Sequence, residues 1–232
     1  MHTTATDGRD DLETMAAAAQ RVGHEYIAIT DHSKALAMAN GLDETRALAH
    51  AARIRALNGR FDGLTLLAGI ECDILADGRL DLAVDCLAQL DFVVASIHSA
   101  IDQNEEQMTD RLLFAMECPW VDVIAHPTAR KILRREPSRA NMDRVFDAAM
   151  AHGVALEING QPDRLDLDEV LARRARSRGV RLIIDSDAHS PAALGNLRWG
   201  AAVARRAWLE AQDVLNTQPI GAFRASLRRH RR

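Results

Sequence analysis

One recurrence constrains this chain more than anything else in it. Short β-branched or aliphatic runs return at roughly thirty-residue spacing, the length of one βαβ unit, and most of them end on an imidazole or a carboxylate. The runs Tyr26–Thr30, Thr65–Ile70, Phe92–Ile97, Val121–Ala125, Val154–Ile158 and Leu182–Ile184 are bounded by turn residues and read as strands. Helical periodicity fills the gaps over Asp10–Arg21, Asp43–Asn58, Gln107–Glu117, Met142–His152, Leu167–Ser177 and Leu194–Leu209. The first of these opens with Asp10 and Glu13 in capping-box spacing and stops at Gly23. Alternating strands and helices predict a parallel sheet with helices packed on it. No G-x-G-x-x-G and no Walker loop occurs, which argues against a nucleotide-binding doubly wound sheet. Six or seven such units in one domain over residues 1–232 predict an α/β barrel of the TIM kind. Its functional groups would lie at the carboxyl ends of the strands.

The residues at those ends are of one chemical kind. MHTTATD carries His2 and Asp7, and YIAITDHS carries Asp31 and His32. LLAGIEC ends near Glu71, VVASIHS near His98 and VDVIAHPT at His126, while LIIDSDAHS carries Asp185, Asp187 and His189. Imidazole nitrogen with carboxylate oxygen suits Zn, Mn or Fe, and no thiolate belongs to the set. Eight candidate ligands (His2, Asp7, His32, Glu71, His98, His126, Asp187 and His189) exceed what one tetrahedral zinc needs, so two or three divalent ions are predicted. Glu71 stands alone at its strand end and reads as the bridging carboxylate. Two ions roughly 3.5–4 Å apart can hold a hydroxide between them and clamp an in-line displacement at phosphorus. No G-x-S-x-G and no Cys-His pairing is evident, which leaves water as the nucleophile. Singly, each residue has an ordinary reading: His32 a loop residue capping a helix, His98 a core histidine, His126 before Pro127 a turn residue. Those readings do not explain why so many fall at strand ends. His24, His50, His152 and His230 lie in or beside helical patterns and read as structural or surface residues.

Charge and cysteine usage bound the function classes. A net charge of −4 carries no global nucleic-acid signature, so any attraction for phosphate must be local. The basic loop Arg130–Arg139 after His126 reads either as a steering element for a phosphate-bearing substrate or as a solvated loop. The tail Arg228–Arg232 reads as a frayed basic end. Cys72, Cys86 and Cys118 are few and widely spaced, as expected of reduced thiols, and Cys72 reads as a small buried residue. With no secretory segment and no apolar run of membrane-span length, a cytoplasmic protein without a membrane partner is expected.

The motifs H-T-x-x-x-D-G, I-T-D-H-S, G-x-E-x-D-I, S-x-H-S, A-H-P-T and D-S-D-A-H stand in this order from Met1 to about Leu215. Together they resemble the successive motifs of the PHP (polymerase and histidinol phosphatase) phosphoesterases. The resemblance implies a distorted seven-stranded β/α barrel with a trinuclear centre. By motif, the first metal would take His2, Glu71 and Asp187, the second Glu71, His98 and His126, and the third Asp7, His32 and His189. The family usually opens with H-x-H, whose first His would fall one residue before Met1. A truncated first strand and an incomplete first metal site are therefore expected.

The stretches EINGQPDRLDL (Glu157–Leu167) and RRAWLEAQDVLNT (Arg205–Thr217) are similar to one branch, the C-terminal PHP domain of bacterial family X DNA polymerases. In that branch the domain is a Mn-dependent 3′–5′ exonuclease that processes DNA 3′ ends, and a polymerase part precedes it. The implied reaction is hydrolysis of a phosphoester by a metal-bridging hydroxide. Arg164 would steady the charge that develops, with a plain salt bridge as its alternative role; Asn159 would orient substrate or water; Asp187 and His189 would also manage protons. Three other readings stay open. They are a stand-alone phosphatase for a small phosphomonoester of the histidinol-phosphatase type, a catalytically impaired PHP module that binds DNA or a partner, and an amidohydrolase. The last lacks a candidate for its carboxylated lysine. Metal identity, natural substrate and oligomeric state are not specified by these residues.

Overall fold

The computed structural model describes residues 1–230; Arg231 and Arg232 of the basic tail lie outside them. Six strands form one parallel sheet in sequence order. They are β1 (Tyr26–Ile29), β2 (Thr65–Asp73), β3 (Phe92–Ser96), β4 (Val123–Ile124), β5 (Ala155–Asn159) and β6 (Leu182–Asp185). Eight helices are interspersed: α1 (Leu12–Arg21), α2 (Glu44–Leu57), α3 (Val84–Leu87), α4 (Glu105–Glu117), α5 (Met142–His152), α6 (Glu169–Ser177), α7 (Leu197–Arg206) and α8 (Ile220–Ser226). Sequential order with every neighbour parallel is what consecutive βα units produce, and the sheet curls into a half-barrel of the TIM-like kind expected, with six strands among the described residues where the family resemblance implied seven. Alternate strand residues face opposite sides. Leu67, Phe92, Val94, Val123, Ala125, Ala155 and Ile183 cluster on the inner side, and Phe223 and Leu227 join them from α8 and the residue after it. A larger cluster of alternate strand residues and helix faces forms the outer layer. Removing the fully buried Phe223 ring would cost about 3–5 kcal/mol.

Several boundaries moved, each for a local reason. The cap of α1 is Asp11, which accepts from the Thr14 N–H, and not Asp10. β2 runs three residues beyond the predicted Ile70, because it is flanked on both sides and buried along all but its first residue. β4 shrinks to two residues, since His126 turns to φ 29° just before Pro127. The predicted Leu194–Leu209 helix divides into a 3-10 stretch over Pro191–Asn196 and then α7. Gly160 permits this corner, because a Cβ there would sit 2.5 Å from the Asn196 carbonyl oxygen. The tail does not fray at its start. Arg228 Nη1 donates to the carbonyls of Met116, Cys118 and Val121.

β1 and β6 do not pair with each other. Met1–His2 stands between their functional ends instead. The Thr30 N–H donates to Met1 O at 2.8 Å, and the His2 N–H donates to Ala188 O at 2.8 Å. The terminal ammonium donates to Thr30 Oγ1 at 2.9 Å. Inside the sheet lies a cavity of about 380 Å³ walled by Ala28, Leu67, Phe92, Val94, Ile183 and Phe223, with His2, Glu71, His126 and Asp187 at one end. Among the described residues no helix is long and apolar enough to cross a membrane.

Candidate metal centre

The carboxyl ends of the strands and the loops after them deliver the candidate ligands to one place. Glu71 is the hub. Its Oε1 faces His126 Nε2 at 3.1 Å and His98 Nε2 at 3.4 Å, and its Oε2 faces His2 Nε2 at 3.2 Å and His32 Nδ1 at 3.5 Å. Asp187 Oδ1 lies 3.1 Å from His2 Nε2. Asp7 lies 3.4 Å from His189 Nε2 and 3.6 Å from His32 Nε2. The His2 ring packs against those of both His32 and His189, at centroid distances of 4.4 and 4.1 Å, and those two rings lie 6.2 Å from each other.

Among the described residues, three sets place one ligand atom from every member within 4.8 Å of the others. They are His2, Asp7, His32 and His189; His32, Glu71 and His98; and His2, Glu71 and Asp187. His126 belongs to none of the three, although it meets the same Glu71 oxygen as His98. Each residue anticipated as a ligand thus lies in one cluster. His126 and Asp187 both adopt positive φ, at 29° and 46°, a backbone cost that sheet and loop hold in place.

The donor set fits divalent ions. His2 Nδ1, His32 Nδ1 and His126 Nδ1 are buried imidazole nitrogens without a hydrogen-bond partner. Without a cation, protons balance the carboxylates. Burial alone would lower the His2 pKa, yet hydrogen bonds to Asp187 and Glu71 raise it to about 9. Burial also opposes charge on His98, and Asp73 and Glu71 override it to about 10. His32 and His126 go the other way, each to about 4, chiefly through burial. The charges of His2 and His98 add to this for His32, and that of Arg164 for His126. Burial would raise the Glu71 carboxyl, but four surrounding imidazoles hold it well below the usual range. Such a mixture of protonated imidazoles and buried carboxylates is one that metal ions would replace, with proton release.

Of the groups behind the ligands, Asp185 stood in a strand-end segment of the sequence without a role, and Asp73 and Glu157 were not singled out as site residues. Asp73 accepts from His98 Nδ1 at 2.9 Å. Glu157 accepts from the His126 N–H and from Asn159 Nδ2, and burial followed by repulsion from Asp185 raises its carboxyl well above the ordinary range. Asp185 accepts from the Asp187 N–H. A signal for all three was present. Each stands two residues from a chosen position, and period two puts strand neighbours at that spacing on one face. His50, read as a structural residue, donates to Asp31 at 2.9 Å, and Asp31 binds Thr3 and Thr6 of the loop that carries His2 and Asp7. That pairing has no sequence signal, since it joins a helix to a loop across the fold.

Asn159 Nδ2 donates to Asp187 Oδ2 at 3.2 Å. Arg164 is buried, with Nε 3.8 Å from Asp187 Oδ2, and neither its Nε nor its Nη1 has a hydrogen-bond partner. Cys72 is fully buried and donates to Asp81, which together with burial pushes its thiol pKa well up; all three cysteines are free.

A curled parallel sheet with histidines and carboxylates gathered at its carboxyl edge defines a metal-binding α/β barrel. The PHP domain family matches residues 1–161, and the chain belongs to that family of phosphoester hydrolases. It is 41% identical over 230 residues to the DNA polymerase/3′-5′ exonuclease PolX of Bacillus subtilis (strain 168). The match takes in 99% of this chain but only 40% of the length of that protein. A probable phosphatase of Thermoanaerobacter sp. (strain X514) is 27% identical over 224 residues, 92% of this chain and 86% of its own. Among solved structures, a histidinol phosphate phosphatase of Lactococcus lactis complexed with zinc, L-histidinol and phosphate has the same fold. Its TM-score is 0.62 at 16% identity, with 90% of this chain and 92% of that chain covered.

Proposed function

We propose that this chain is one PHP unit over its whole length and that it hydrolyses phosphodiester bonds at nucleic-acid 3′ ends with two or three divalent ions, Mn foremost. The observation that carries this reading is the buried guanidinium of Arg164 beside a cluster of metal-type ligands, 3.8 Å from Asp187 but with its Nε and Nη1 making no hydrogen bond. Asp187 balances the charge, but the two N–H groups left without hydrogen bonds still need acceptors, and a phosphoester oxygen meets that need.

His2, Glu71 and Asp187 would hold one ion, Glu71, His98 and His126 a second, and Asp7, His32 and His189 a third. Bound ions would lower the pKa of a water and neutralise charge on the phosphoester. The protein's own groups do the rest. Arg164 donates to a non-bridging oxygen, strengthening as charge accumulates there. Asn159, held between Glu157 and Asp187, orients what binds beside Asp187. Asp73 fixes the His98 ring by accepting from its Nδ1, so that Nε2 points at Glu71. Asp187 and His189 are the groups through which protons would move.

The high identity to a polymerase/exonuclease over nearly the full chain supports a nucleic-acid substrate over a small phosphomonoester. A direct comparison separates them. Mn-loaded protein is given a 3′-labelled oligonucleotide, bis-p-nitrophenyl phosphate and histidinol phosphate. Mononucleotide release, lost with chelator and reduced about 10²–10³-fold in Arg164→Ala, is expected. Hydrolysis of histidinol phosphate alone would select the small-molecule reading. Metal-loaded protein that cleaves none of the three would sink the enzymatic one.

A further inference from the structure

Five residues after His126 the chain forms a short hairpin whose construction the hydrolytic site does not require. The Lys131 N–H donates to Arg135 O at 2.9 Å and the Arg135 N–H returns to Lys131 O at 2.8 Å. The hairpin is then pinned to the loop that carries Arg164. Its Ile132 N–H donates to Asp163 O at 2.7 Å, Lys131 Nζ pairs with Asp163 at 2.8 Å, and Arg130 Nε donates to Arg164 O at 2.8 Å.

At the tip of this fixed frame stands Leu133, fully exposed and at φ 62°. Both features are costly. A branched aliphatic side chain in the left-handed region is strained, and its exposure forgoes the burial that would offset the strain. Glycine or asparagine would serve a plain turn better. Next to it Arg134 is exposed and has no ion pair among the described residues, and Arg135 is exposed with its Nε on the Ala129 carbonyl.

We propose that this hairpin is the contact for a single-stranded nucleic-acid chain whose 3′ end sits at the metal centre. Leu133 packs against the sugar and base next to the scissile phosphate, and Arg134 binds a following phosphate. The inference rests on the phosphoester reading and adds to it the element that distinguishes a polynucleotide from a small ester. The charge is complementary to a polyanion on a chain that is acidic overall. An apolar side chain presented rigidly against base faces gives contact without sequence preference, as stacking platforms and wedges do. A small phosphomonoester has no neighbouring nucleotide to offer Leu133 and no following phosphate to offer Arg134.

The test uses the full chain loaded with Mn, 5′-fluorescein-labelled dT12 and rU12, and bis-p-nitrophenyl phosphate. Leu133→Gly removes the contact and relieves the backbone, so the fold is not at risk. Arg134→Glu reverses a charge that touches nothing else among the described residues. Each should raise KM for dT12 about tenfold and weaken its binding by fluorescence anisotropy equally, with kcat/KM for the small diester unchanged. In Arg134→Glu the dependence of log affinity on log salt should also fall by about one phosphate's worth. The rU12 arm should follow the dT12 arm, since no contact proposed here reads the 2′-hydroxyl.

Wild-type dT12 affinity in both variants would overturn the proposal. So would a parallel loss on the small diester, or wild-type protein that does not bind dT12. A change in sedimentation alone, with dT12 binding intact, would make the tip a contact between copies of the chain and likewise overturn it. If wild-type protein cleaves neither substrate, the hydrolytic reading fails, and anisotropy still decides whether the hairpin holds the strand.

Discussion

Asp31 precedes a candidate ligand but faces away from the metal cluster, and its replacement by Asn tests how the His2–Asp7 loop is held. The carboxylate is fully buried and accepts four hydrogen bonds. Two go to Oδ1, from the Thr3 N–H at 2.8 Å and the Thr6 hydroxyl at 2.6 Å; two go to Oδ2, from the Thr3 hydroxyl at 2.8 Å and His50 Nε2 at 2.9 Å. Asn keeps the shape and one acceptor but points an NH₂ at two donors. The Thr3 hydroxyl can turn to accept; His50 must change tautomer to do so. Two charge-assisted bonds at about 1.5–3 kcal/mol each set the cost, roughly 3 kcal/mol once partial rearrangement is allowed.

The acidity of the group reflects the same bonds. Burial would raise the Asp31 carboxyl, yet His50, His2 and the threonine donors bring it down to about 2 from 3.8. A carboxyl depressed this far contributes on the order of 2–3 kcal/mol above pH 4, and that contribution fades as pH falls toward 2. Urea unfolding followed by circular dichroism at pH 7.5 in chelator should therefore show Asp31→Asn shifted to lower midpoint by about 1 M. Metal titration should show weaker binding, by about 10–100-fold, at the set that includes His2 and Asp7. A midpoint within about 0.3 M of wild type, with unaltered metal affinity, would refute the claim that Asp31 anchors this loop.

Two further outcomes follow from named groups. Glu71→Gln keeps the side chain's size and removes the charge that both imidazole pairs face, so elemental analysis after gel filtration should find at least one ion fewer per chain; equal metal content would contradict the shared role given to Glu71. Tyr26 is the chain's sole tyrosine, and burial, then Glu25, raises its phenol to about 12. Because the folded pKa lies above the unfolded value near 10, its contribution to stability is complete below pH 10 and disappears as pH rises toward 12. Absorbance at 295 nm should titrate near 12 in native protein and near 10 in denaturant, and coincident curves would remove the burial argument.

The repeating apolar runs were legible because a buried strand must be apolar over several residues, and the imidazoles after them stood out against that background. Hence every strand was located, and the ligand types with them. Lengths were less legible. β2 continues through Glu71 and Asp73, polar residues that only the flanking strands and the metal cluster justify in a strand interior. Glu157, a supporting carboxylate inside β5, is invisible to hydropathy for the same reason, whereas Asp185 was seen at its strand end but without its supporting role. α8 was missed because its apolar residues face inward to close the barrel, a tertiary role with no periodic signature over seven residues. The Asp31–His50 pair depends on α2 packing beside β1, which sequence spacing does not encode.

The contact between His2 and Asp187 has a consequence for how the molecule holds together. It joins residues 185 positions apart at 3.1 Å. The first and last parts of the ligand set therefore meet across nearly the whole chain, so the closure entropy of a very long loop falls on this junction, which the His2 N–H to Ala188 bond and the Asp7–His189 contact share. A cation gripped by both residues would act on the chain as a cross-link does, restricting the unfolded ensemble more than any local contact can. The candidate metal centre is in this sense also the buckle of the barrel, and loosening it releases both ends at once.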